Sequence, residues 1–351
     1  MPDGYQFQHK KVGTIVVANP VVLRYKKKEM RLIVDLARKV YFCGEILGHP
    51  NKLLSSVQSG PERSIRLPDD FAPSGCLTTP DRDTLWVLLE APGINFFGHW
   101  IVDHFPRLYL LYKQGLIDRV KFVFFDQPPK WADIFFEIFS ISKSRIVVVE
   151  DNCVRADVLI IPAFFRERKH LYIEYTAEAW QFLQQKLREK RSNESFKTTF
   201  FHRNRHLKKV QKNIGKKNLR VYISREKSKC FMEKENELKR LLVRHGFFVF
   251  FPEEVDLPTT AAFLEHADMV VGEDGSGMHN VVFCRRSCDV IVIGSRTLTK
   301  SSQQRENRYQ RVINANLFDR SWFYTPRLEA GKAILDIENF ENFFNGIIDA
   351  S

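Results

Sequence analysis

Short apolar runs alternate with segments of helical periodicity along most of the chain, and this alternation restricts the fold more than any other feature of the sequence. From Leu85 onward, WVLLE, VKFVFF, RIVVVE and VLIIPAF have the form of buried strands, with helical patterns between most of them. After residue 220 the alternation restarts with LRVYISR, FFVFFP, DMVVG and CDVIVIG. Strands that alternate with helices are typical of βα units and a mainly parallel sheet. The sequence therefore predicts an α/β protein with two Rossmann-like halves.

A basic segment separates the two halves. Residues 202–220 carry eight lysines and arginines and no acidic residue, which is two-thirds of the net charge of +12. Such a run is usually a solvated linker or loop. The predicted organisation is an N-terminal α/β domain over 1–200, a basic linker or loop over 201–219, a second α/β domain over 220–330 and a C-terminal helix over 331–351 that packs back toward the N-terminal domain.

The basic composition leaves three classes of partner open, namely nucleic acid, an anionic membrane surface and a phosphorylated substrate. No recognisable nucleic-acid-binding module is present, so nucleic acid is not expected. The N-terminus lacks the form of a signal peptide, and no run of 18 apolar residues occurs. We therefore expect a cytoplasmic protein.

The six cysteines are spread without a CxxC pair, which predicts free thiols in a reducing compartment. Cys284 and Cys288 lie four residues apart with His279 nearby, but a zinc site needs more ligands at tighter spacing. The sequence thus predicts no metal site and no bound cofactor.

A glycine-rich segment, GEDGSGMHN at 272–280, follows the apolar strand at 269–271. Glycines between a strand and a helix let the backbone approach a ligand, and the positive end of the helix favours phosphate. The segment matches neither GxGxxG nor the Walker pattern, so both a diphosphate site and a plain tight turn agree with it.

Ser224 and Arg225 end the strand that starts the second half, with Lys227 and Lys229 just beyond. Ligands of open α/β sheets bind at the carboxyl ends of strands, and the planar guanidinium group donates two hydrogen bonds to phosphate. A surface arginine in a salt bridge explains the pattern equally well.

His99 and Asp103 lie four residues apart, on one face of a helix expected from His99 to Gln114. A histidine or carboxylate at the mouth of a cleft can accept a proton from an attacking hydroxyl group. The alternative is structural: His99 caps or packs the helix while Asp103 binds backbone or Arg107. Without further context the spacing favours the structural interpretation.

Taken together, these segments resemble glycosyltransferase family 61, also known as DUF563. The resemblance spans roughly residues 95–294, and two departures stand in the glycine loop, where Asp274 replaces a histidine and Ser276 an alanine. Four blocks in the family's order carry it: HWIVD with FPRL at 99–108, YISR at 222–225 with Lys229 four residues on, the helix and GFFVFFPE strand at 235–253, and the glycine loop at 272–283.

The resemblance implies a GT-B-like fold, in which two Rossmann-like domains face a central cleft and the nucleotide lies on the C-terminal one. It further implies that the reaction inverts the anomeric configuration of the transferred sugar and requires no metal ion. The catalytic base that deprotonates the acceptor is expected in the N-terminal, acceptor-side domain. Asp103 is the first candidate for this base and His99 the second. The residues expected to bind the nucleotide sugar are Ser224, Arg225, Lys229, Asp274, Gly275, Ser276, Gly277 and Asn280.

The expected function is therefore that of an inverting, metal-independent glycosyltransferase that moves a sugar from a nucleotide-sugar donor to a glycan or lipid-linked glycan acceptor. Biosynthesis of bacterial capsule, lipopolysaccharide or another surface polysaccharide is the expected setting. The basic stretch 202–220 then contacts an anionic membrane, peripheral to the inner membrane, or lies near a charged acceptor. Two alternatives are an inactive family member that acts as a scaffold and a basic nucleic-acid-binding protein.

Overall fold

The computed structural model divides the chain into two compact units, Met1–Ala179 and Trp180–Ser351. This division precedes the basic segment where the sequence predicts the junction, and the finer domain assignment stays a prediction. The structure describes residues 14–18, 20–25, 30–35, 40–42, 65–66, 77–78, 84–89, 94–149, 153–155, 158–162, 166–167, 170–171, 173–192, 205–227, 234–294, 310–311, 313–329 and 332–349.

The described elements follow the predicted alternation of strands and helices. The strands are β1 (Thr14–Ala18), β2 (Pro20–Tyr25), β3 (Met30–Asp35), β4 (Val40–Phe42), β5 (Ile65–Arg66), β6 (Leu77–Thr78), β7 (Leu85–Leu88), β8 (Val120–Phe124), β9 (Ile146–Val148), β10 (Cys153–Arg155), β11 (Val158–Pro162), β12 (Arg166–Glu167), β13 (His170–Leu171), β14 (Leu219–Ile223), β15 (Phe247–Phe250), β16 (Ala267–Glu273), β17 (Asp289–Ile293), β18 (Ser321–Tyr324), β19 (Arg327–Glu329) and β20 (Lys332–Ile334).

The longer helices connect these strands. They are α1 (Phe97–His99, continued by a π-helical turn at Trp100–His104 and an α-helical segment at Phe105–Lys113), α2 (Asp133–Ile138), α3 (Ile173–Ser192), α4 (Arg205–Asn213), α5 (Glu235–Arg244), α6 (Leu257–Leu264) and α7 (Ile337–Asp349). Short 3₁₀ turns lie at Ile117–Arg119, Lys130–Ala132, Lys143–Arg145, Pro252–Glu254 and Met278–Phe283.

The first unit contains a five-stranded sheet in the order β1-β11-β7-β8-β9. β11, β7, β8 and β9 run parallel, and β1 pairs antiparallel at the edge. The interior strands β7 and β8 are almost entirely buried, as continuous apolar runs predict for a parallel sheet covered on both faces. A second sheet, in the order β5-β4-β3-β2-β10-β6, is antiparallel except for the β10–β6 pair.

The second unit contains a fully parallel sheet in the order β15-β14-β16-β17-β18. Numbered along the chain, this is the order 2-1-3-4-5 of one common doubly wound α/β fold. The predicted α/β class is therefore confirmed, and the parallel sheets are compatible with the predicted Rossmann-like units. One hydrophobic core of this unit is formed by Tyr222, Leu238, Leu241, Leu242, Phe247, Met269, Val271, Ile291, Ile293, Leu335, Phe340, Phe344 and Ile347.

Two segments of the second unit bear on the predicted domain organisation, which stays a prediction. Within the predicted linker or loop, α4 forms a helix because Leu207 and Val210, three residues apart, are both buried and anchor it while its lysines stay in solvent. The C-terminal helix α7 was expected to pack back toward the N-terminal domain. In the structure, its apolar side chains Phe340 and Phe344 are buried in the core of the second unit.

Candidate active site

The His99–Asp103 pair forms as the sequence predicts. The Nδ1 atom of His99 lies 2.6 Å from Oδ2 of Asp103. His99 directly precedes the π-helical turn of α1 and Asp103 lies within it; the amide of Phe105 donates there to the carbonyl of Trp100, five residues earlier. Such turns are rare and frequently occur at functional sites. The pair therefore stands at an irregular point of a helix that follows β7, at the carboxyl end of a parallel strand.

Burial gives the two members of this pair different roles. The Asp103 side chain is 1% exposed, whereas that of His99 is 36% exposed. A substrate hydroxyl group that approaches from solvent therefore meets the imidazole of His99 first. The geometry favours His99 as the proton acceptor and Asp103 as the carboxylate that orients the ring, which reverses the order of preference derived from the sequence.

Arg107 is a buried cation one turn after Asp103. Its Nε donates to the carbonyl of Pro162 at 3.0 Å, Nη1 to that of Leu89 at 2.5 Å and Nη2 to that of Leu88 at 3.0 Å. Burial lowers the pKa of Arg107 to about 9, against the charge of Asp103, so the guanidinium group is protonated at neutral pH. Arg107 therefore ties α1 to the carboxyl ends of β7 and β11 and holds the helix that carries the pair.

His104 lies next to the pair but has a different character. Its ring is fully buried and lies 4.8 Å from that of Trp100. Burial lowers the pKa of His104 to about 3; the charge of Arg107 adds to this effect and that of Asp103 opposes it. The imidazole is therefore neutral in the folded protein.

His104→Phe is expected to reduce acid sensitivity. Because the pKa is about 3 in the folded state and near 6.5 in the unfolded state, the unfolded chain binds more protons between these values. The free energy of unfolding therefore falls as the pH falls through this window, by at most about 1.4 kcal/mol per pH unit. Phenylalanine keeps an aromatic ring against Trp100 and does not titrate. Urea denaturation of wild type and His104→Phe between about pH 7 and pH 4 measures how much stability each protein loses on acidification. Equal losses of unfolding free energy in the two proteins would show that His104 does not cause the acid sensitivity.

The second candidate region lies at the carboxyl ends of β14 and β16, which are neighbouring parallel strands with Ile223 opposite Gly272. β15 follows β14 along the chain and lies on its other side. The strand order thus reverses direction between β14 and β16, and open α/β sheets bind their ligands at such switch points. Arg225 and the glycine loop meet here, as the sequence predicts.

Arg225 connects the two strand ends. Its Nη1 donates to the carbonyl of Asp274 at 3.1 Å and lies 3.6 Å from Oε2 of Glu273. The side chain is 20% exposed. The guanidinium group is therefore held in place by the loop after β16 while part of it stays accessible, an arrangement that suits a site for an anion.

Gly275 makes this approach of Arg225 possible. Its φ is +146°, and a Cβ atom at this position would lie 2.8 Å from Nη1 of Arg225. An alanine would clash with the guanidinium group and would be strained in this conformation. The absence of a Cβ atom at Gly275 therefore lets the guanidinium group approach the loop closely, and the role of the loop as a diphosphate site stays a prediction.

Glu235, at the start of α5, was not among the predicted site residues. Its Oε1 accepts hydrogen bonds from the hydroxyls of Tyr222 at 3.0 Å and Ser224 at 2.6 Å and from the amide of Arg225 at 3.0 Å. Burial, together with the charge of Glu235, raises the pKa of Tyr222 well above its usual value. Glu235 fixes the direction in which the chain leaves β14. Ser224 is buried in this network, so it positions Arg225.

The rest of the glycine loop is braced internally. Asn280 is fully buried and donates from Nδ2 to the carbonyl of Gly277 at 2.9 Å, so it shapes the loop. The amide of Met278 bonds the carbonyl of Gly275 at 2.9 Å. The expected helix after the loop is a short 3₁₀ segment, Met278–Phe283, which offers a much weaker dipole than an α-helix. Ser276 is half-exposed.

Several further observations bear on the predicted site. Lys229 lies outside the described residues. Among the residues that the structure describes, no three His, Cys, Asp or Glu side chains are grouped to hold a metal ion. Cys284 and Cys288 are free thiols. That the reaction is independent of metal ions stays a prediction. In the described part of the chain, no helix is both long and apolar enough to cross a bilayer.

Comparison with known protein families agrees with the resemblance seen in the sequence. The family described as Glycosyltransferase 61 matches residues 97–291, which is more than half of the chain and includes both candidate regions. No curated protein is significantly similar to the chain. The extent of the family match establishes that the chain belongs to glycosyltransferase family 61.

Proposed function

We propose that this glycosyltransferase is an inverting, metal-independent enzyme that transfers a sugar from a nucleotide-sugar donor to a glycan or lipid-linked glycan acceptor. Family membership supports the glycosyl transfer itself. The remaining parts of the proposal rest on the two candidate regions and on the chemistry that their residues can perform.

One observation carries the donor part of the proposal. Arg225 is directed across the switch point of the second sheet, where it is held against Glu273 and the glycine loop. A nucleoside diphosphate that leaves the sugar gains negative charge, and a fixed guanidinium group stabilises that charge. Gly275 and Gly277 allow the diphosphate to approach the backbone. Lys229 would add a second cation.

The acceptor part rests on the His99–Asp103 pair. The acceptor hydroxyl oxygen attacks the anomeric carbon from the face opposite the leaving group, and the bond between that carbon and the phosphate oxygen breaks. The hydroxyl proton passes to the imidazole of His99, whose other ring nitrogen faces Asp103. Attack from the opposite face inverts the anomeric configuration, so no covalent intermediate on the enzyme is needed.

We further propose that the two units serve as the two halves of a GT-B enzyme with a central cleft, with the donor on the second unit and the acceptor on the first. We place the enzyme in the bacterial cytoplasm, in the synthesis of capsule, lipopolysaccharide or another surface polysaccharide. The two α/β units support the GT-B part of this proposal, and the family match supports a role in glycan synthesis.

A thermal-shift screen tests the proposed function. Wild-type protein is heated with a panel of nucleotide sugars and with UDP, GDP and CMP, each in excess. Binding to the folded state raises the unfolding temperature. We expect a rise with at least one donor and with its free nucleotide. No rise with any member of the panel would contradict the proposal.

The basic face of α4 is proposed to contact anionic lipid. Lys208 and Lys212 are exposed and lie on the same face, one turn apart. Each basic residue near an anionic surface contributes about 1 kcal/mol, so Lys208→Glu combined with Lys212→Glu should weaken vesicle binding by at least about thirtyfold. Co-sedimentation with phosphatidylglycerol vesicles measures the loss.

A charge-matched variant controls for this experiment. Arg240 and Arg244 are also exposed and one turn apart, on α5, so Arg240→Glu with Arg244→Glu changes the net charge equally. This control should retain vesicle binding. Equal losses in both double variants, or equal binding of wild type to neutral and anionic vesicles, would remove the proposed role of α4.

A further inference from the structure

Two exposed aromatic side chains lie beside the segment of α1 that carries the His99–Asp103 pair. Phe96, which directly precedes α1, is 58% exposed, and its ring centroid lies 6.2 Å from that of His99. Large apolar side chains that remain this exposed beside a polar site are characteristic of binding surfaces. Phe96 is thus a candidate contact for any molecule that reaches His99.

Trp131 provides a second exposed ring. It is 41% exposed and contacts Phe97 edge-on at 5.6 Å and Trp100 at 6.1 Å. Trp100 is itself fully buried and stacks on Phe135 at 5.5 Å. Trp131 therefore packs on the part of α1 that carries His99, and it contacts a buried aromatic cluster there.

The positions of both rings are fixed by the backbone around them. The indole Nε1 of Trp100 donates to the carbonyl of Ile94 at 2.7 Å, which anchors the loop before Phe96. The amide of His99 donates to the carbonyl of Phe96 at 3.0 Å. Trp131 lies in the 3₁₀ turn after β8, and Phe96 lies in the loop after β7. Both rings thus stand at the ligand-binding edge of the parallel sheet.

We propose, as an extension of the proposed function, that Phe96 and Trp131 form an acceptor subsite that stacks against a pyranose ring. A pyranose has an apolar face of C–H groups and a rim of hydroxyl groups. The C–H face packs on the aromatic rings, and the rim places one hydroxyl group against His99. Such a mixture of aromatic surface and few polar groups is typical of small-molecule sites.

The buried state of Arg107 favours a sugar over a nucleotide beside His99. A nucleobase could also stack on these rings, but its phosphates need accessible cations. Arg107, the basic residue of α1 next to the pair, is fully buried and donates to three backbone carbonyls. Lys130, which directly precedes Trp131, is exposed, so UDP is included in the test as the competing ligand.

Fluorine NMR of protein that contains 5-fluorotryptophan tests the proposal. The chain has five tryptophans, and the resonance of Trp131 is identified by its loss in Trp131→Phe. Chitotriose, xylotriose, maltotriose and cellotriose are titrated separately. We expect at least one of them to shift the Trp131 resonance, and Phe96→Ala should weaken that interaction roughly five- to tenfold.

Tyr112→Ala is the matched control, because Tyr112 is a 46% exposed aromatic residue at the far end of the same helix. It should leave the titration unchanged. The proposal is overturned if no trisaccharide shifts the Trp131 resonance, if Phe96→Ala and Tyr112→Ala have equal effects, or if UDP alone produces the shift. Saccharide binding without any nucleotide binding in the thermal-shift screen would instead contradict the proposed function and leave the subsite in place.

Discussion

Arg107→Met is expected to lower the free energy of unfolding by about 4 kcal/mol, because three charge-assisted hydrogen bonds to buried carbonyls disappear together. The guanidinium group is 1% exposed, so water cannot replace it at the ends of β7 and β11. Methionine fills a similar volume but leaves these carbonyls without donors. Urea denaturation followed by circular dichroism gives the difference in stability.

Arg145→Met provides the comparison. Arg145 also donates to backbone carbonyls, those of Ile117 and Val120, but it is only half-buried. Water can reach these carbonyls when the side chain is removed, so the expected loss is about 1 kcal/mol. Equal losses in the two variants would show that the buried contacts of Arg107 are not the cause of its contribution.

His99→Gln and Asp103→Asn are each expected to reduce turnover by about 10²- to 10⁴-fold. Glutamine cannot accept the acceptor proton at neutral pH. Asparagine keeps the size of Asp103 but removes the charge that orients and stabilises the protonated imidazole. Donor binding should remain unchanged in both variants, because the proposed donor site lies at β14 and β16. Single-turnover experiments measure the rate of sugar transfer, and isothermal titration calorimetry measures donor binding.

Asp118→Asn controls for the loss of a carboxylate elsewhere, since Asp118 is exposed in the turn after α1. It should retain wild-type turnover. Full activity of His99→Gln with reduced activity of Asp103→Asn would restore Asp103 as the base, the assignment preferred from the sequence. Full activity of both variants would exclude the pair from proton transfer.

The parts of the fold that the sequence predicts correctly depend on local patterns. β7, β8, β14, β16 and β17 are rich in apolar residues because buried parallel strands have two covered faces. The His99–Asp103 contact follows from a spacing of four residues, which the π-helical turn preserves. Arg225 and Gly275 meet because the carboxyl ends of parallel strands share one edge.

The features that the sequence does not predict depend on long-range contacts. The carbonyls bound by Arg107 lie 18, 19 and 55 residues away. Glu235 binds groups 10 to 13 residues away, across a turn whose path the sequence does not specify. The family block that contains the helix at 235–242 was the one signal that pointed to this region. Trp131 lies outside the motifs that the sequence analysis names, and only the fold shows that its ring stays exposed.

The central claim is that Arg225 binds the diphosphate of the donor, and isothermal titration of the nucleotide found in the screen into Arg225→Ala tests it most directly. Arg220→Ala is the matched control, because Arg220 lies on β14, the strand that Arg225 follows, and donates to the carbonyl of His245. We predict that Arg225→Ala weakens nucleotide binding at least about tenfold, as expected for the loss of a charge-assisted contact, while Arg220→Ala binds like wild type. Wild-type affinity in Arg225→Ala would contradict the claim.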